Sequence, residues 1–195
     1  MKMSKLEKSL VNKPKHAKQA IKYIERLLQY AEIKEEQNLL EVGCGIGAVS
    51  KYITEKYRLN VTGTDVDPEQ IQTALKDKDD SRNIRFLEAD AAELPFEDDE
   101  FDIEMFYMVM HHIANWQDAL REISRVLKPK GYLIMGDILY SNFAARIGRL
   151  LSRNYGIITI KDLKAFTEAG NYATIHASLS KSPLVKYYEA VYQRN

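Results

Sequence analysis

Three glycines alternate with other residues directly after a short apolar run, and this feature constrains the fold most. Residues 38–42 read NLLEV, which is typical of a buried strand, and Gly43, Gly45 and Gly47 follow. A strand that turns at once into a helix needs glycine where the backbone is tight and where it approaches a ligand. The start of the helix adds unpaired N–H groups and the positive end of a dipole. The spacing therefore predicts a strand-turn-helix unit that binds a small molecule.

Strand-like and helix-like segments alternate along the rest of the chain. This alternation indicates βαβ units in a mostly parallel sheet. The short turn at 180–183 requires the last two strands to be antiparallel. The expected fold class is α/β, a Rossmann-like sheet of seven mostly parallel strands with an antiparallel C-terminal hairpin and helices on both faces. Helices are predicted over 14–31, 49–57, from Pro68, over 116–127 and 159–170, and strands over 38–42, 60–64, 84–88, 101–107, 132–136, 172–179 and 184–193.

Composition excludes several classes of protein. Lys plus Arg and Asp plus Glu both number 28, and this balance argues against a protein that coats nucleic acid. The single cysteine, Cys44, cannot form an intramolecular disulfide and disfavours a cysteine-rich zinc site. No apolar run approaches the roughly 18 residues that span a bilayer, and the N-terminus has no secretory apolar region. We therefore expect a cytoplasmic protein, as a monomer or homodimer, without nucleic acid as partner.

An acid at the end of the second predicted strand leaves two cofactor classes open. Asp65 follows the first glycine by about 20 residues, where doubly wound folds place an acid that accepts from ribose hydroxyls. The loop from Gly43 to Ala48 also satisfies the loose dinucleotide fingerprint, so an NAD(P)-dependent oxidoreductase is one alternative. Against it, no second βαβαβ half follows to bind nicotinamide. Many small dehydrogenases use a Tyr-x-x-x-Lys pair. After the glycine loop this chain has one such pair, Tyr52 and Lys56, and it lies on the helix directly behind that loop.

Five motifs stand in order with regular spacing, at 39–47 (LLEVGCGIG), 61–68 (VTGTDVDP), 86–96 (FLEADAAELPF), 101–113 and 127–133. Together they resemble the class I S-adenosylmethionine (SAM) dependent methyltransferases, especially the small-molecule branch of the quinone-biosynthesis type. One departure is Lys130, which stands where this family usually has glycine. The resemblance implies in-line transfer of a methyl group from SAM to an O, N or C atom of a small molecule, with S-adenosylhomocysteine as product. A SAM-binding sensor or scaffold without catalysis is a second alternative.

The resemblance also implies which residues contact the cofactor. The glycine loop would wrap the methionine part, Asp65 would bind the ribose hydroxyls and Asp90 the adenine amino group. Phe106 and Tyr107 would lie near the transferable methyl group. The residues expected to contact SAM are Glu41, Gly43, Cys44, Gly45, Gly47, Asp65, Val66, Asp90, Ala91, Phe106 and Tyr107.

Catalytic candidates and a lid complete the expectations. His111 and His112 follow the fourth strand, where either can act as base or substrate ligand, or can serve only in packing; no metal site is expected. One domain is expected, with an N-terminal arm and helix (1–32), a SAM-binding core (33–136), and a lid helix with the C-terminal strands (137–195). The amphipathic segment 139–158, with three interleaved arginines, is expected to cover the pocket together with the N-terminal helix.

Overall fold

The sheet and helices below come from a computed structural model, which describes residue 8 and residues 11–76, 83–151, 155–180 and 185–195. Seven strands form one sheet in the order β3-β2-β1-β4-β5-β7-β6. The strands are β1 (Asn38–Val42), β2 (Asn60–Asp65), β3 (Ile84–Glu88), β4 (Phe101–Tyr107), β5 (Leu127–Tyr140), β6 (Tyr172–Leu179) and β7 (Val185–Arg194). The α-helices are α1 (Pro14–Leu28), α2 (Ala48–Tyr57), α3 (Pro68–Lys76), α4 (Trp116–Val126), α5 (Asn142–Leu151) and α6 (Ile160–Ala169), and a short 3₁₀ turn spans Met110–His112.

The pairing of the strands confirms the expected fold class. β1 is parallel to β2 and β4, β2 to β3, and β4 to β5, whereas β7 is antiparallel to both β5 and β6. The chain order reverses between β1 and β4, and in sheets of this kind ligands bind outside the carboxyl ends of the strands at such a point. The turn predicted at 180–183 lies, apart from Ser180, outside the described residues.

Hydrophobic side chains cover both faces of the sheet. Because neighbouring residues of a strand point to opposite faces, Met105 and Phe106 of β4 belong to two different clusters. Phe106 lies in the cluster with Leu120 and Ile123 of α4. Met105 lies in the cluster with the buried residues of α1, α2 and α3, among them Ile24. Both clusters are buried, and they fix the strands whose ends form the site.

Two boundaries differ from expectation by three residues or more, and those of β2, β7, α2, α4 and α6 differ by one. α1 ends at Leu28 instead of residue 31, because the next amides bond to carbonyls three residues back in a tighter turn. β5 is longer than 132–136: it begins at Leu127, which pairs with Phe101, and continues to Tyr140 along β7. In the pairing of β4 with β5, the register shifts at a bulge between Phe101 and Ile103. Among the described residues, no helix is long and apolar enough to cross a membrane.

Candidate functional site

A cavity of ≈ 500 Å³ opens where the strand order reverses. The loops after β1, β2 and β4 line it, and the residues around the start of α1 form another wall. From these elements come residues 43–46, 64–67, 107–109 and 111–113, together with Asn12, His16, Ala17, Gln19 and Ala20. The cavity thus lies where the glycine loop predicted a small-molecule site.

The loop after β1 has a left-handed backbone at each of its three glycines, with φ of 73°, 54° and 73° at Gly43, Gly45 and Gly47. A Cβ at Gly43 would overlap the Val109 side chain, so glycine there lets the β1 and β4 loops approach. A Cβ at Gly47 would lie 2.5 Å from the Phe86 ring. Gly43 and Gly45 line the cavity, whereas Gly47 packs against Phe86 and does not line it, so its contact with the cofactor stays a prediction.

The Asp65 carboxylate ties the two neighbouring loops together. Its Oδ2 accepts from the backbone N–H of Gly45 at 3.0 Å, and its Oδ1 accepts from that of Asp67 at 2.9 Å. Burial raises the pKa of Asp65, and these two backbone hydrogen bonds oppose the rise. Asp65 and Val66 both line the cavity, so the structure brings them to the glycine loop as the motif spacing predicts.

Glu41 and Cys44 lie beside this loop with little exposure to solvent. The Ser50 hydroxyl donates to the Glu41 carboxylate, and burial raises the pKa of Glu41 to about 7. Burial also raises the pKa of the Cys44 thiol, which makes it a poor nucleophile. Both residues line the cavity, Glu41 as a carboxyl group able to change charge near neutral pH.

The loop after β3 forms another wall. Asp90 is exposed, and its Oδ1 accepts from the backbone N–H of Ala92 at 2.9 Å. Ala91 is buried and belongs to the hydrophobic cluster that packs on α4. Asp90 and Ala91 both line the cavity, as the sequence places them.

The two aromatic residues at the end of β4 point to opposite faces of the sheet. Tyr107 lines the cavity, and its ring lies 4.6 Å from that of Tyr23 on α1. Phe106 is fully buried in the cluster under α4 and does not line the cavity. The expectation that Phe106 lies near a bound methyl group is therefore corrected, because only one of two successive strand residues can face α1.

A histidine and a buried aspartate form the polar pair of the site. His111 Nδ1 lies 2.6 Å from Oδ1 of Asp137, and Asp137 Oδ2 accepts from the backbone N–H groups of Val109 at 2.9 Å and Met110 at 2.6 Å. His111 and His112 both line the cavity, with ring centroids 4.0 Å apart. Asp137 was missed by sequence analysis, although an acid inside the apolar strand YLIMGDIL was a usable signal.

The N-terminal wall is attached to the start of α3. The Asn12 and Gln70 side chains exchange hydrogen bonds of 2.9 and 3.2 Å, and Lys8 Nζ lies 2.5 Å from Asp67 and 2.6 Å from Glu69. Residues between 11 and 20 thus form one wall of the cavity, and their action as a lid stays a prediction.

The other half of the expected lid is corrected. None of the residues of α5, all of which the structure describes, lines the cavity. The helix instead carries its large apolar residues towards solvent.

The charges of the cavity determine what it can hold. Four carboxyl groups line it, and none of the described lining residues is Lys or Arg; the acids are Glu41, Asp65, Asp67 and Asp90. This suits a ligand with a sulfonium and an amino group, and gives the two phosphates of a dinucleotide no cationic side chain. The described residues contain no cluster of His, Cys, Asp or Glu that could hold a metal ion.

Comparison with known proteins agrees with this geometry. Residues 40–135 match the family described as "Methyltransferase domain". Methyltransferase GfsG of Streptomyces halstedii is 26% identical over 154 residues, 77% of this chain and 55% of that protein. The 2-methyl-6-phytyl-1,4-hydroquinone methyltransferase of Synechocystis is 33% identical over 99 residues, 51% of this chain and 31% of that protein. The chain thus spans about half the length of such relatives, or less.

Solved structures share the fold at low identity. The YcgJ protein of Bacillus subtilis superposes with a TM-score of 0.74 at 18% identity, over 91% of this chain and 98% of YcgJ. Geranyl diphosphate C-methyltransferase of Streptomyces coelicolor, solved with S-adenosyl-L-homocysteine, gives 0.74 at 12% identity, over 93% and 80%.

The strand order, the glycine loop and the cavity at the reversal point define a Rossmann-like methyltransferase fold. Residues 40–135 belong to the methyltransferase domain family, which agrees with the resemblance of the motifs to the class I SAM-dependent methyltransferases and with SAM as the cofactor.

Proposed function

We propose that this chain transfers the methyl group of SAM to an oxygen or nitrogen atom of a small molecule bound beside the N-terminal wall of the cavity. The observation that carries the proposal is the His111–Asp137 pair: His111 lines the same cavity as the glycine loop and Asp65, and the buried Asp137 contacts its ring from behind. A cofactor cradle and a positioned proton acceptor in one cavity favour catalysis over the sensor or scaffold alternative.

The residues of the cavity divide the binding of SAM among three walls. Gly43, Gly45 and Glu41 would hold the methionine part, and Asp65 the ribose hydroxyls. The adenine would lie along the wall that contains Val66, Asp90 and Ala91. When bound, SAM supplies a methyl group already activated by its sulfonium, so the protein's task is alignment and the exclusion of water.

His111 would receive the proton of the acceptor. With the proton of the neutral ring on Nδ1, His111 donates a hydrogen bond to the Asp137 carboxylate, and Nε2 would then be the basic nitrogen of the ring. Because Asp137 also accepts from two backbone N–H groups, its position and that of the ring are fixed together. A base of this kind serves an acceptor with an O–H or N–H group, which loses its proton as the methyl group arrives.

The remaining expectations are part of the same proposal. We propose a small-molecule acceptor, without nucleic acid as substrate, in a single-domain cytoplasmic protein that is a monomer or homodimer. The NAD(P) alternative is disfavoured, because residues 40–135 match a methyltransferase domain.

Calorimetric titration with SAM, S-adenosylhomocysteine and NADH tests the cofactor site. We expect the two adenosyl ligands to bind and NADH not to bind. Asp65→Ala should weaken SAM binding at least about tenfold, because the loop then loses the carboxylate that holds Gly45. Asp118→Ala, which removes an exposed acid on α4, is the control. Binding of NADH alone would overturn the proposal.

Methyl transfer to a panel of small hydroxyl and amine acceptors tests the chemistry. With any acceptor that reacts, His111→Ala and Asp137→Asn should lower kcat by about 10²- to 10⁴-fold at neutral pH while SAM binding is retained. Full rates in both variants would contradict the role of the pair. Tight SAM binding with no transfer to any acceptor would favour the sensor alternative.

A further inference from the structure

Helix α5 presents its large apolar side chains to solvent. The exposed fractions of Phe143, Ile147, Leu150 and Leu151 are 70, 42, 81 and 81%. Their spacing of four, seven and eight residues from Phe143 places them on one face of the helix. We call these four residues the α5 apolar face.

The opposite face of α5 contacts the protein through small residues. Ala145 is buried, and a Cβ at Gly148 would lie 2.8 Å from Ile157. A helix on the surface of a globular protein normally has the reverse arrangement, as α4 does with Leu120 and Ile123 buried. Contiguous exposed apolar residues of this kind mark an interaction surface.

Positive charge surrounds the α5 apolar face. Arg146 and Arg149 lie along one side of the helix, and Lys161 lies near its base at the start of α6. Between residues 141 and 165 the sequence has five Lys or Arg and one acid, Asp162. Asp162 lies 2.5 Å from Arg149 and compensates the charge of that one arginine, so the other four Lys and Arg residues leave a net positive charge. The surface around the helix is therefore cationic.

We propose that α5 docks on the surface of an anionic lipid bilayer, with its apolar face in the acyl boundary and with Arg146 and Lys161 facing the headgroups. Apolar residues on one face with cations beside them are the two features that such interfacial helices use. Arginine side chains can lie along the apolar surface and extend their guanidinium groups to the headgroups.

A second copy of the chain fits this face less well. A stable protein interface takes about 20 residues a side, whereas the α5 apolar face has four side chains on one helix of ten residues. A two-fold contact through α5 would also bring the arginines of two copies together.

The docking surface lies next to the active site. The backbone N–H of Gly156, a few residues after α5, donates to the carbonyl of His111 at 3.0 Å. The segment that follows the proposed docking helix is therefore in direct contact with the loop that carries His111.

Co-sedimentation with vesicles tests the proposal. The protein is mixed with vesicles of phosphatidylcholine alone and of phosphatidylcholine with phosphatidylglycerol. We expect binding to the anionic vesicles only, and weaker binding as salt is added. The double variant Phe143→Ser/Leu150→Ser should lower the partition coefficient at least about tenfold, because it removes two large apolar groups. Arg146→Glu should lower it several-fold.

Leu75→Ser, at an exposed leucine on α3, is the matched control and should bind as the wild type does. Unchanged unfolding midpoints would show that the variants fold. The proposal is overturned if the wild type does not bind anionic vesicles, or if the double variant binds equally well. It is also overturned if sedimentation velocity shows a dimer that the double variant abolishes without any vesicle binding, since a second copy would then occupy the face.

Discussion

A lysine holds a backbone conformation that normally suits glycine. Lys130 has φ of 66° and lies at the irregularity where β5 changes its register against β4. The left-handed region costs a residue with a Cβ about 1–2 kcal/mol. Glycine avoids this cost, but it makes the unfolded chain more flexible, and this entropy offsets roughly 0.5–1 kcal/mol of the gain. We therefore expect Lys130→Gly to raise the free energy of unfolding by about 0.5–1 kcal/mol, measured by urea denaturation.

Asn171 is the matched comparison, since it also has a left-handed backbone, with φ of 54°. Asparagine tolerates this region better than lysine, so Asn171→Gly should gain less than Lys130→Gly. Equal gains, or a loss of stability in Lys130→Gly, would show that backbone strain is not the cause.

A buried acid in β4 predicts a dependence of stability on pH. Glu104 is fully buried, and neither carboxyl oxygen has a hydrogen-bond partner among the described residues. Burial raises the pKa of Glu104 well above its ordinary value, and the positive charges of Arg194 and Arg125 only partly oppose this. Unfolding therefore releases a proton between the ordinary and the raised pKa. Stability falls as the pH rises through that window.

Glu104→Gln should remove this dependence, because glutamine carries no charge at any of these pH values. Relative to the wild type, we expect the variant to gain at least about 1 kcal/mol near pH 8 and much less near pH 5, measured by urea denaturation at both. Glu97→Gln, on the exposed loop before β4, is the control. A constant difference between variant and wild type at the two pH values would contradict the assignment.

The sequence predicts residues of the site where a motif fixes the position, and fails where the fold decides. Asp65 and Gly43 follow directly from the ends of two strands, and the structure brings both to the cavity. Phe106 and Tyr107 were not separable by sequence, because the alternation of β4 decides which one faces α1. Asp137 lies 26 residues after His111 along the chain. Only the parallel pairing of β4 and β5 brings the two together.

At the scale of elements, the bounds of β1, β3, β4 and β6 are the predicted ones. A polar or turn residue marks one end of each strand: Gly43 follows β1 and Ser180 follows β6, whereas β3 and β4 begin directly after Asn83 and Glu100. β5 was predicted too short, because Lys128 and Pro129 resemble a turn while the strand in fact begins at Leu127. The amphipathic pattern of α5 shows that its two faces differ in polarity, but it does not show which face packs against the rest of the protein. For this reason the sequence did not reveal that the apolar face of α5 is exposed to solvent.

The N-terminal wall should control exchange of the cofactor. Asn12 and Gln70 exchange two hydrogen bonds across the cavity edge, and Gln70 is buried. Asn12→Ala should raise the dissociation rate of SAM by roughly two- to tenfold, since it removes both bonds from the closed arrangement. Stopped-flow competition with S-adenosylhomocysteine measures this rate.

The control for this prediction is Asn142→Ala, at an exposed asparagine on α5 outside the cavity lining. If Asn12→Ala and Asn142→Ala release SAM at the same rate, the segment around Asn12 does not act as a lid.

At the scale of the whole molecule, the cavity joins elements that are distant in sequence. The loops after β1, β2, β3 and β4 contribute to it, as do residues from Val11 to Ala20. The two hydrophobic clusters lie on opposite faces of the same strands. A ligand in this cavity therefore contacts parts of the chain that come together only in the folded state.

Saturating SAM should accordingly raise the Tm of the whole protein. A ligand at 100 times its Kd that binds only the folded state adds about 2.7 kcal/mol. For a chain of this size each kcal/mol shifts Tm by roughly 2–4 °C, so we expect an increase of roughly 5–10 °C in a thermal melt. S-adenosylhomocysteine should act in the same direction, whereas Asp65→Ala should show little shift and Asp118→Ala the full one. A shift with NADH but not with SAM would show that a dinucleotide occupies the cavity, although none of the described residues lining it is Lys or Arg.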